Sequence, residues 1–129
     1  MKNIKYFLPA ALWLLVILFL SGFPGNKVPE IPLWQFDKLV HSGIYGALTF
    51  LLLLGYSKQY SSPTKRYSLV AKIVFFAIFY GGLMEILQHY IFINRSGNWM
   101  DFAANTFGAI LGVFCYPHVI KLLPINKWL

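Results

Sequence analysis

Four apolar runs, at residues 6–23, 36–56, 69–93 and 99–119, fill most of this chain, and its basic residues collect at their ends. A helix rises about 1.5 Å per residue, so each run predicts a helix able to reach across a hydrocarbon core of roughly 30 Å. Apolar residues make up 58% of the chain and charged residues 12%, against roughly a quarter charged in soluble domains. Too few polar side chains remain to cover a water-facing surface. The expectation is an all-α integral membrane protein: one domain over residues 1–129, a compact bundle of four transmembrane helices.

The flanking charges set the direction. In such a bundle Lys2, Lys5, Lys58, Lys65, Arg66, Lys72, Lys121 and Lys127 share one side, against Lys27, Lys38 and Arg95 on the other. Short loops rich in Lys and Arg stay in the cytoplasm, which predicts that both termini are cytoplasmic. A basic start before an apolar stretch also suits a signal peptide. The segment around Ser21 and Gly22 is a poor cleavage site, however, and a retained first helix is expected. The net charge of +7 invites a nucleic-acid reading, but the basic residues flank apolar runs instead of forming a stripe on a polar domain. That pattern meets anionic lipid headgroups, so membrane lipids are expected as partners and nucleic acid is not. Cys115 is the one cysteine; it excludes an internal disulfide and reads as a small packing residue.

Ionisable groups at membrane depth are costly and persist when paired, facing a cavity or functional. Their spacing is therefore informative. Asp37, His41 and Tyr45 recur every four residues and stack on one helix face, with Gly43 near their level to admit another backbone. Glu85, Gln88 and His89 form a second patch just after Gly81 and Gly82. Asp101, Asn105, Gly108 and Gly112 make a third stripe, polar above and small below. Small residues at this spacing let helices approach closely where no hydrophobic effect drives association. The same seam draws Asp101 and Asn105 toward Glu85 or His41. Three helices thus bring polar groups to one depth, with Lys38 and Arg95 at the rim, which predicts a polar pocket open to the outer side. Blander readings stand beside this one. Asp37 and Asp101 suit helix N-capping, and His89 suits the membrane interface.

In order and loop length, Asp37-Lys38-x-x-His41, Glu85-x-x-Gln88, Arg95 and Asp101-x-x-x-Asn105-x-x-Gly108-x-x-x-Gly112 resemble the VanZ-like family. These are small bacterial membrane proteins named after one linked to resistance to the glycopeptide teicoplanin. The resemblance covers roughly residues 35–115 and implies a multi-pass protein of the bacterial inner membrane. It implies no established reaction.

Three functions are open at this point. The first is binding of an anionic lipid-linked envelope molecule, such as an undecaprenyl phosphate or pyrophosphate, with a contribution to teicoplanin tolerance. Asp37, Lys38, Tyr45, Gln88, Arg95 and Asn105 would contact it, Arg95 with paired hydrogen bonds. The second is hydrolysis or group transfer, with His41 as base or nucleophile and Glu85 or Asp101 orienting it or acting as acid. A divalent ion on His41, Glu85 and Asp101 is a further option, although no compact zinc signature is present. The third is a non-catalytic assembly, regulatory or transport protein, to which a homodimer could supply a second half.

Overall fold

The computed structural model describes residues 6–22, 34–91 and 99–122. They form five helices: α1 (Leu8–Gly22), α2 (Trp34–Gly55), α3 (Ser57–Ser61), α4 (Pro63–Tyr90) and α5 (Trp99–Leu122). The protein is an all-α bundle, but the expectation of four transmembrane helices needs correction. Among the described helices only α4, with 28 residues, and α5, with 24, are long and apolar enough to cross a membrane. The helix α1 has 15 residues, about 22 Å of rise. The helix α2 has 22 residues, with an apolar stretch among the described residues at Leu39–Gly55. An apolar run alone does not make a span; the helix that carries it must also be long enough.

The outward faces remain those of a membrane-associated protein. Phe75 and Phe79 on α4, and Phe107 and Phe114 on α5, are exposed. Such a surface is out of place in water and ordinary against acyl chains.

Contacts centre on α2 and α5, which make the most extensive helix pair. They run parallel: Ser42 meets Ala104, Thr49 meets Ala109, and Phe50 meets Tyr116. The glycines explain the closeness. A Cβ on Gly108 would collide with the Ser42 backbone, and one on Gly112 with the Gly46 carbonyl and the Thr49 hydroxyl. The side chains that line this seam then bond across it. Ser42 Oγ donates to the Ala104 carbonyl at 3.1 Å, and Thr49 Oγ1 to the Ala109 carbonyl at 2.9 Å. A hydroxyl that accepts no water gains from any carbonyl it can reach. The outer helices are tied in the same way. Trp13 Nε1 on α1 donates to the Ile44 carbonyl at 2.9 Å, and the Tyr80 hydroxyl on α4 to the Leu14 carbonyl at 2.7 Å.

The helix α4 runs opposite to α2 and α5. Its start packs Leu69 and Ile73 with Leu53 and Tyr116, while farther along Ala77 and Met84 join Ile17, Tyr45, Leu48 and Ala109 in the main core. This brings the amino-terminal ends of α2 and α5 together with the carboxyl-terminal end of α4. Lys65, Arg66 and Lys121 belong to the opposite end, where Arg66 donates to the Tyr60 carbonyl and lies 4.9 Å from that ring's centre.

Gly43 was expected to admit a neighbouring backbone. An added Cβ there meets nothing within 4 Å, and the close approach is at Gly46, where a Cβ would come 3.1 Å from the Gly108 carbonyl oxygen. The contrast sets up a stability test. Gly108→Ala or Gly112→Ala should cost about 1–3 kcal/mol through overpacking. Gly43→Ala should be neutral or gain up to about 1 kcal/mol from helix propensity. Unfolding midpoints in detergent micelles measure the difference, and equal effects at Gly43 and Gly108 would contradict this packing.

Candidate functional site

His41 sits in the third turn of α2, Asp101 in the first turn of α5, and Glu85 about a turn and a half before the end of α4. The register of the α2–α5 seam, with α4 alongside, brings all three together. One ligand atom from each lies within 4.8 Å of the others, and all three residues are partly buried. His41 Nε2 is 3.9 Å from Asp101 Oδ2, with side-chain exposures of 19% and 15%. That exposure admits a ligand from one side while limiting screening by water.

Asn105 holds the imidazole. His41 Nδ1 is 2.9 Å from Asn105 Oδ1, and Asn105 is 2% exposed. An amide oxygen only accepts, so in this arrangement Nδ1 carries the proton and donates. In a neutral ring Nε2, the nitrogen facing Asp101, then bears the lone pair. A buried group that fixes the tautomer and ring angle of a histidine is the usual support for one that binds a metal or moves a proton. Gly81 makes room for this support. A Cβ at Gly81 would come within 3.3 Å of the Tyr45 ring and 3.4 Å of Asn105.

The remaining expected residues fall into separate groups. Gln88 is buried, 3% exposed, one turn beyond Glu85. Tyr45 belongs to the hydrophobic core with Leu48 and Met84. His89 is exposed and meets Tyr90 edge-on. A Cβ on Gly82 would come within 3.4 Å of the Phe102 ring. Asp37 and Lys38 lie in α2, but their side chains, like all of Arg95, are outside the described residues. Ser42 is a crosslink in the seam. Its spacing to Gly46 and Thr49, i, i+4 and i+7, was the available signal: a small-residue stripe that complements Gly108 and Gly112.

A family model described as VanZ/LLP1 matches residues 2–122. The chain belongs to the VanZ/LLP1 family. No curated protein and no solved structure matches it. Membership in VanZ/LLP1, together with the partly buried His41–Glu85–Asp101 cluster, supports a role at the membrane and envelope. The cluster has a donor set that could coordinate a metal ion.

The tautomer is directly measurable. With neutral His41, ¹⁵N chemical shifts should show a protonated Nδ1 and an unprotonated Nε2. Asn105→Leu should remove that preference and leave a mixture. A protonated Nε2 in the unmodified protein would show that the amide faces the ring the other way round.

Proposed function

We propose that this protein binds an anionic, lipid-linked envelope molecule at the end of the bundle where His41, Glu85 and Asp101 meet. The convergence of those three side chains from three helices, within 4.8 Å, carries the reading. A partly buried cluster of this kind is expensive to assemble unless something is bound or transformed there. The ligand is amphiphilic. Its charged group meets the cluster, with Lys38 and Arg95 supplying positive charge, and its tail lies along the exposed Phe107 and Phe114 side of α5. Undecaprenyl phosphate and pyrophosphate have this form. A contribution to teicoplanin tolerance belongs to the same reading, through the lipid-linked wall precursor.

The location proposed is the bacterial inner membrane. The ends of α4 and α5 that carry Lys65, Arg66 and Lys121 face the cytoplasm by the distribution of basic charge. The cluster then opens toward the outer side.

The His41–Asn105 bond favours a second reading, hydrolysis at phosphorus. Here Nε2 takes a proton from water as the water oxygen bonds to phosphorus. The bond to the leaving oxygen breaks, and that oxygen takes a proton from a carboxylic acid at Glu85 or Asp101.

Purified protein in nanodiscs, offered undecaprenyl phosphate, its pyrophosphate and lipid-linked peptidoglycan precursor, tests both. Saturable binding of at least one is expected, weakened about tenfold or more in His41→Ala and Arg95→Ala, the scale of a lost charged hydrogen bond. Product formation abolished in His41→Ala would favour hydrolysis. Identical retention by the unmodified and variant proteins would rule out this site. Cysteines introduced singly at Ser61 and Ser96 test the orientation, and only the second should react with an impermeant reagent added outside cells.

A further inference from the structure

We infer that His41, Glu85 and Asp101 form a three-ligand site for a divalent transition-metal ion, whose open positions receive phosphate oxygens of the lipid anion. The second half of this inference rests on the function proposed above; the first does not. Two carboxylates and an imidazole within 4.8 Å present a difficulty for anion binding by themselves. Two negative groups repel a phosphate, and their partial burial leaves little water to screen them. A divalent cation removes the conflict. It neutralises both carboxylates and turns the same end of the bundle into an anion receptor.

The donor chemistry narrows the ion. All-oxygen sites suit calcium and magnesium, whereas an imidazole nitrogen with carboxylate oxygens suits manganese, iron or zinc. Three protein ligands leave at least one position for another donor, as in metal sites that bind or activate a ligand. Bonds of about 2.1 Å would set the donor atoms roughly 3–3.5 Å apart. The three side chains therefore close inward by about 1 Å on binding, a rotamer adjustment that leaves the helices in place.

The surroundings supply the independent support. Asn105 lies outside the ligand set and is 2% exposed, and its oxygen engages Nδ1 at 2.9 Å. That contact leaves Nε2 as the coordinating atom on the side of Asp101. Ligating histidines characteristically have their second nitrogen held in this way. Asn105 is thus a positioning residue for the metal site.

The test uses the full chain in nanodiscs of zwitterionic lipid, with Mn²⁺ followed by loss of its free electron paramagnetic resonance signal and Zn²⁺ by competition with a chelating dye. One saturable ion per chain is expected, without any added lipid anion. Glu85→Gln and Asp101→Asn, close in shape to the originals, should each weaken binding tenfold or more. His41→Ala should do so as well, and Gly43→Ala should leave it unchanged. The unfolding midpoint should rise with Mn²⁺ in the unmodified protein and not in Glu85→Gln, while the metal-free midpoints report whether the variants fold. No saturable binding of either ion, or binding indifferent to all three substitutions, overturns the metal site. Undecaprenyl phosphate bound equally well with and without a chelator overturns the bridging role alone. Saturable metal binding with no binding of undecaprenyl phosphate to the metal-loaded protein would sink the proposed function and leave the metal site standing.

Discussion

The contact between the backbones of α2 and α5 governs everything else in this fold. Where Gly108 lies against Ser42, and Gly112 against Gly46 and Thr49, the helices are closer than any side-chain-bearing pair allows. In an apolar solvent there is little hydrophobic gain from helix association, so close packing and hydrogen bonds to backbone carbonyls have to provide it. Ser42 and Thr49 supply those bonds from within the seam. A seam fixed by both sterics and hydrogen bonds has one register. That register places His41 one position before Ser42, opposite Asn105, with Asp101 a turn earlier on α5. The site is a consequence of the seam. It also follows that Gly108 and Gly112 are already engaged within the chain, so any second copy would have to use another face.

The electrostatics pull against this arrangement. At an effective dielectric constant near 20, two unit charges within about 5 Å repel by roughly 3 kcal/mol, comparable to one large packing defect. The amino-terminal end of α5, with its partial positive charge, softens the cost. Asp101, in the first turn of α5, gains most from this. Glu85 gains least, because the end of α4 nearest to it is a carboxyl-terminal one.

The all-α character was legible from the clustering of apolar residues, and the family from the order of the motifs. The meeting of His41, Glu85 and Asp101 followed from a depth argument: polar groups at one level on three helices have few places to go. The number of spans was not legible, because an apolar run gives no measure of the helix that carries it: α1 has 15 residues. The seam was half legible. Gly108 and Gly112 announced one side, but Gly43 drew attention away from Gly46, since a small residue's level on a helix says nothing about which way it faces until its partner is known. Tyr45 is a related case. It shares a face with His41, but one turn deeper that face is already core, packed with Met84 and Ala109.

Depth also bears on which ligands can reach the cluster. Glu85 lies five residues before the end of α4, about 8 Å of helix, and the exposed flanks of α4 and α5 beside it are aromatic and aliphatic. A water-borne anion would have to shed its hydration before touching His41. A lipid-borne headgroup already rests at the interface, and its tail remains in the acyl layer along α5 while the headgroup engages. The cost of approach is thus met by the membrane, and the protein need supply only a local opposite charge. On the proposed reading, side chains on three short stretches of helix suffice for an amphiphile that the membrane already holds at their depth.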